Sequence, residues 1–206
     1  MNLLVLVLSY KSFPFDQFMD VQMTTWDNDL HPDIDVRYYH AGKPTNYKEI
    51  IVNCPDDYDM MHWKFKLALD VLPYHMYDLI FRTNSCSYIV KDRILEVAGK
   101  LPRTGCYAGW HNHNCVSGAG MFLSPDVLDV LRNELTDTPH GAEDVLINEV
   151  LRDRYTVIDD KSRIDADLTG FHRYDGYHFR AKTSNDQIGR MRDIEALKEL
   201  HKVLKG

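Results

Sequence analysis

Cysteine is scarce in this chain: four residues in 206, Cys54, Cys86, Cys106 and Cys115, with no CxxC pair among them. That spacing argues against a zinc ribbon or a thioredoxin-type pair, and the low density against a disulfide scaffold, so reduced and packed thiols are expected. Long apolar runs are missing too. The longest, Leu3 to Leu8, covers six residues, whereas a membrane-spanning helix needs about twenty. No Lys or Arg precedes that run, and Ser9-Tyr10-Lys11 follows it without a small-residue cleavage site. A secretory signal is therefore not indicated, and a cytoplasmic location with no membrane partner is expected. Basic charge is not in excess, since 24 Lys and Arg face 31 Asp and Glu for a net charge of −7, which disfavours non-specific attraction to nucleic acid. A composition of 44% hydrophobic, 27% charged and 11% aromatic residues is too apolar for a disordered or low-complexity chain. The length predicts one domain, residues 1–206, large enough for a substantial core.

The charge that is present is unevenly placed. Residues 171–206 hold eight Lys and Arg against five Asp and Glu, a local balance of +3 that leaves −10 for the rest. An anion held by this protein is expected to meet that carboxyl-terminal segment. Leu3 to Leu8, apolar on both faces, predicts a central strand of a covered, largely parallel sheet. Ser9, Tyr10 and Lys11 then stand at its carboxyl end, where open α/β sheets bind ligands. Asp35 to Tyr39, Tyr77 to Phe81, Cys106 to Trp110 and Arg154 to Ile158 read as further strands, with a loop from His111 to Gly120. Helical patterns cover 59–72, 91–100, a segment opened by Ser124-Pro125, roughly 144–152, and 187 onward. Met60, Trp63, Leu67 and Val71 form one expected packing stripe, and Met191, Ile194 and Leu197 belong to another. Strands alternating with helices predict an α/β fold.

Five segments then occur in order: Thr25-Trp26, Trp63-Lys64, Tyr77-Asp-Leu-Ile-Phe-Arg-Thr-Asn84, Val116-Ser-Gly-Ala-Gly-Met121 and Glu143-Asp-Val145. Over about residues 3–152 this order resembles GT-A glycosyltransferases, nearest in pattern to the β-1,3-galactosyltransferase and Fringe-like group and its small viral and bacterial relatives. The resemblance implies a single Rossmann-like GT-A domain with a mostly parallel central sheet flanked by helices. It also implies transfer of a sugar from a nucleotide-diphosphate donor, with UDP-sugars the expected class, to an acceptor hydroxyl.

Where the family carries an acidic DxD motif for Mn²⁺ or Mg²⁺ and the donor diphosphate, this chain has Asn84-Ser85-Cys86-Ser87. Hard divalent cations prefer carboxylate oxygens, so metal dependence is in doubt. The leaving diphosphate still needs its charge neutralised. If Tyr177 to Lys182 is extended, alternate residues share a face, and Arg180 and Lys182 are expected to replace much of the metal, with His178 a phosphate donor or residual metal ligand. The other reading of that segment is a solvated basic strand.

Glu143 and Asp144 complement a helix amino terminus on the plain reading. The resemblance implies more: an inverting reaction in which Asp144, with Glu143 as the alternative, takes the acceptor's proton. A retaining reaction is the runner-up. Ser117, Gly118, Ala119 and Gly120 read as a pocket wall or a plain turn. Ser9, Tyr10 and Lys11 are expected at the nucleotide base, with Tyr10 stacking. Lys64 is expected at the base or phosphates, or simply solvated. Arg82, Asn84 and Ser87 are carried over as donor-binding positions. Trp110 and His111 read as an acceptor platform, or Trp110 as core, while His111-x-His113 lacks the third ligand a zinc site needs. The acceptor is expected to be a glycan or small molecule. Hydroxymethylated DNA bases are the less favoured acceptor, and a non-catalytic nucleotide-sugar or glycan-binding module is the competing class.

Overall fold

The computed structural model describes residues 1–112 and 115–206. In chain order its elements are β1 (Leu3–Leu8), α1 (Phe15–Thr24), β2 (Ile34–His40), β3 (Glu49–Ile51), α2 (Met61–Val71), β4 (Leu79–Asn84), β5 (Ser87–Ile89), α3 (Lys91–Ala98), β6 (Tyr107–Asn112), β7 (Cys115–Leu123), α4 (Pro125–Glu134), α5 (Glu143–Leu151), β8 (Ile158–Asp159), β9 (Ile164–Asp165), β10 (His178–Arg180) and α6 (Gln187–Lys205). Seven strands form one sheet in the order β3-β2-β1-β4-β7-β6-β8. β1 runs parallel to β2 and β4, as do β2 to β3 and β6 to β8, while β7 is antiparallel to both its neighbours.

β1 explains the sheet's position. All six of its side chains are buried, and because successive residues point to opposite faces, Leu3, Val5 and Val7 join one apolar cluster while Leu4, Leu6 and Leu8 join another. The first cluster packs under Phe18, Phe81, Phe122 and Phe179, the second under Phe65, Leu69, Leu128 and Ile147. Burying each such side chain contributes about 1.5–3 kcal/mol before entropy is counted. Two-sided burial is why β1 lacks the alternation of a half-exposed strand.

The reversal of β7 sets which residues stand at the carboxyl end of the central strands. Thr83 pairs with Gly120, so the first half of β7 lies beside the carboxyl ends of β1 and β4. A second sheet, β5-β10-β9, stands at the same end and pairs Arg180 with both Ser87 and Asp165.

Several expectations are corrected. Residues 117–120 lie within strand β7, which pairs with β4 from Gly120 onward and with β6 on either side of an irregularity. The buried side of α2 carries His62, Lys64, Phe65, Ala68 and Leu69, leaving Val71 66% exposed; polar residues inside the interface hid the true face. The inner face of α6 buries Ile194 and Leu197 as expected, together with Leu200 and the charged Arg190 and Asp193. Ser124 does not cap α4 through its side chain; its hydroxyl accepts from the Cys106 N–H at 2.9 Å and donates to Asp126 at 2.6 Å. α1 has no counterpart among the expected helices, and it packs through Phe18, Met19, Val21 and Gln22. No helix among the described residues is long and apolar enough to cross a membrane.

Gly109 marks the irregularity in the β6–β7 pairing, with φ +153°. A Cβ there would lie 2.6 Å from the Gly120 carbonyl oxygen and 2.7 Å from Val116 Cγ1. Gly109→Ala is expected to cost about 1–3 kcal/mol, read by denaturant unfolding; an unchanged midpoint would mean that the hairpin relaxes freely.

Candidate functional site

Leu8 and Asn84 end adjacent parallel strands in register. Above them opens a cleft of about 530 Å³, walled by the start of β7, the amino end of α5 and the segment after β10.

Arg82, on β4, is 1% exposed. A guanidinium cannot shed its charge, so its burial demands partners. It donates to the Tyr39 hydroxyl at 3.1 Å, to the Gly118 carbonyl and to the Glu143 carboxylate. Arg82 therefore ties β4 to β7 and α5. Glu143 is also buried, and its second oxygen, Oε1, has no partner among the described residues. Burial pushes its carboxyl above the ordinary range, against the opposing pull of Arg82.

Asp144 follows on the first turn of α5. Its Oδ2 accepts the Gly118 N–H at 3.0 Å and its Oδ1 the Val145 N–H at 3.1 Å. An added Cβ on Gly118 would stand 3.4 Å from Asp144 Cβ and 3.3 Å from Arg82 Nη1, so a small residue suits this crossing of strand, helix and guanidinium. Ser117, Gly118, Ala119 and Asp144 all line the cleft.

Asn84 lines it too, with Cys86. The Asn84 carboxamide oxygen accepts from the Cys86 thiol at 2.9 Å and from the Ser87 hydroxyl at 3.2 Å. Gln22, from α1, donates to the backbone carbonyls of Asn84 and Ser87 at 3.3 and 2.7 Å. Ser87 is fully buried behind this wall and pairs with His178 Nε2 at 2.9 Å.

His178 does not face the cleft. It is 1% exposed, and a Cβ on Gly120 would approach its ring to 2.6 Å. Burial, aided by Arg163 and Arg180, holds it well below the usual histidine range and so neutral. The expected phosphate or metal contact is corrected to a neutral ring packed under Gly120 and bonded to Ser87.

Arg180 and Lys182 reach the cleft, as does Arg190, which sequence reasoning passed over as part of a helical face. Arg190 is paired with Asp193 at 2.7 Å and Arg163 with Asp165 at 2.9 Å, whereas among the described residues neither Arg180 nor Lys182 is paired with a carboxylate. Arg180 Nε is buried without a partner among the described residues. Partial burial and Arg180 lower the Lys182 ammonium from its usual range. Two cations brought together, neither ion-paired among the described residues, make an anion-seeking surface.

The end of β1 departs most from expectation. Tyr10 lines the cleft, its hydroxyl buried without a partner among the described residues and its ring centre 3.8 Å from Lys64 Nζ. Lys64 is not solvated; it is fully buried in an ion pair with Asp56, which lines the cleft. Lys11 turns away to Glu49 at 3.0 Å and Thr45 at 3.1 Å. Ser9 is buried, with its hydroxyl unpartnered among the described residues. Neither Lys11 nor Ser9 lines the cleft, nor do Thr25 and Trp26. Trp110 is half-buried with the Arg163 guanidinium 4.5 Å from its ring centre, and Arg163 also donates to Ser117 at 2.8 Å. His113 lies outside the described residues.

The missed lining residues include Asp56 and Tyr58. The Pro55-Asp56-Asp57 turn before α2 is their only sequence signal.

The donor set fits a hard divalent cation poorly. Residues 84–87 offer an amide, two hydroxyls and a thiol. The cleft carboxylates of Asp56 and Glu143 are ion-paired to lysine or arginine, and that of Asp144 accepts two backbone N–H groups. Among the described residues, no three His, Cys, Asp or Glu side chains gather as a metal-holding group.

No protein-family model and no curated protein matches this chain. Solved structures do match. One is a glycosyltransferase involved in the glycosylation of the major capsid of PBCV-1, aligned over 97% of this chain and 100% of its own, with 14% identity and a TM-score of 0.63. At that identity the likeness is one of fold: the chain shares the mixed α/β architecture of that glycosyltransferase.

Proposed function

We propose that this protein transfers a sugar from a nucleotide-diphosphate sugar to an acceptor hydroxyl. The observation that carries this reading is the convergence of Asn84, Asp144 and Arg180 on one cleft at the carboxyl ends of β1 and β4. In the proposed inverting step the acceptor oxygen attacks the anomeric carbon as its proton passes to Asp144. The bond from that carbon to the diphosphate breaks, and the nucleoside diphosphate leaves with the electron pair. Arg180 and Lys182 meet the charge that develops on it, the kind of interaction that lowers the barrier most. Tyr10 offers a ring face for the base at the far wall.

The structural neighbour serves a capsid glycosylation, and a glycan hydroxyl is the acceptor class favoured here. The net charge of −7 weighs against duplex DNA.

The test is thermal denaturation with UDP and other nucleoside diphosphates, together with release of nucleoside diphosphate from nucleotide sugars. A ligand that binds only the folded state raises its apparent stability. Arg180→Ala is expected to weaken nucleoside diphosphate binding about 10–100-fold; unchanged affinity would remove Arg180 from the donor site. A chain that binds UDP yet turns over no nucleotide sugar would be a binding module instead.

A further inference from the structure

Asn84 stands where the resemblance places a metal-binding carboxylate, and its side chain is not free to imitate one. Its carboxamide oxygen is turned inward, 2.9 Å from the Cys86 thiol and 3.2 Å from the Ser87 hydroxyl. An amide oxygen has two lone pairs, and these two donors account for both. The amide nitrogen has no protein partner among the described residues, although Asn84 lines the cleft.

We propose that Cys86 and the buried Ser87–His178 pair lock the Asn84 carboxamide with its N–H₂ toward the cleft, so that this position holds an anionic oxygen of the donor directly and without a divalent cation.

The lock is consistent with the proton count. Thr83 Oγ lies 2.5 Å from the Ala119 carbonyl oxygen, which can only accept, so the Thr83 proton goes there. His178 is neutral. With its proton on Nε2 it donates to Ser87 Oγ at 2.9 Å, and of the acceptors then within reach of the single Ser87 proton, Thr83 Oγ at 2.8 Å, Asn84 Oδ1 at 3.2 Å and the Ala119 carbonyl at 3.4 Å, the lock assigns it to Asn84 Oδ1. The thiol of Cys86 supplies the second donor. Ser87, His178 and Cys86 are thus positioning residues that act through Asn84.

The surroundings agree with an anion. Arg180 and Lys182 line the same cleft and, among the described residues, are unpaired with any carboxylate, while Arg180 Nε is buried without a partner among them. A carboxylate at position 84 would add negative charge beside the ligand and need a cation between them.

The inference rests on the cleft being a nucleoside diphosphate site, and the experiment separates the two. UDP is titrated into the full chain in EDTA and in Mn²⁺, following thermal stability and the side-chain amide resonances of Asn84 by ¹⁵N NMR. In EDTA, UDP is expected to bind and to shift the Asn84 N–H₂ pair, with Mn²⁺ adding nothing. Asn84→Asp is expected to lose at least about tenfold in affinity in EDTA and to recover it in Mn²⁺. Cys86→Ala is expected to weaken binding and to move the Asn84 amide resonances toward those of a free carboxamide, whereas Cys86→Ser, which keeps a donor, preserves both. UDP binding to the parent chain only with Mn²⁺ overturns the lock and leaves the donor-site reading standing. Binding in EDTA with the Asn84 amide unmoved also overturns it. No binding in either condition overturns both. Should the Asp variant fail to fold, the parent titration and the amide resonances still decide.

Discussion

Asp144→Asn is expected to lower sugar transfer by about 10²–10⁴-fold, while UDP stabilises the variant much as it does the parent chain. The substitution is nearly isosteric. Asp144 is held by the Gly118 N–H at Oδ2 and the Val145 N–H at Oδ1, and an amide oxygen can keep one of these contacts, so the wall should stand. What the amide cannot do is accept the acceptor's proton. Glu143 is poorly placed to substitute, since one oxygen is committed to the buried Arg82 and the residue is 3% exposed. Measuring turnover and thermal shift on one preparation separates chemistry from binding. Substantial transfer by Asp144→Asn, together with its loss in Glu143→Gln, would exchange the two roles.

The adjacency behind that prediction was legible in order but not in geometry. The run of segments from Tyr77 to Asp144 anticipated a cleft, and the reversed β7 is what delivers Ser117–Ala119 to the ends of β1 and β4. β1 could be recognised because burial on both faces leaves a purely apolar strand. Side-chain direction could not. Ser87 and His178 are 91 residues apart and meet through a short antiparallel pair, which no local pattern announces. Lys64 read as a contact to the base or phosphates, or as a solvated helix residue, because the carboxylate that permits its burial, Asp56, lies outside the helix. Arg190 and Asp193 disguised the inner face of α6 in the same way, as a charge pair buried where apolar residues were expected.

Arg82→Met is expected to destabilise the fold by about 3–5 kcal/mol, because it strands the Glu143 carboxylate inside the protein without its counter-charge. For a chain of this size that corresponds to a fall in Tm of roughly 6–20 °C. The loss should be pH-dependent in a definite sense. Burial already raises the Glu143 carboxyl, and Arg82 is what pulls it back; without Arg82 the folded-state value rises further above the unfolded one of about 4.3. A folded state that binds more protons than the unfolded state loses stability as pH rises from the unfolded value toward the folded one. The deficit of Arg82→Met relative to the parent should therefore be smaller at pH 5 than at pH 7, as read by denaturant unfolding at both. Replacing Arg82 and Glu143 together by apolar residues of similar volume should recover much of the loss, since a buried pair need not outperform good packing. A deficit equal at the two pH values, with no recovery in the double variant, would mean that Arg82 stabilises the fold through Tyr39 and Gly118 rather than by neutralising Glu143.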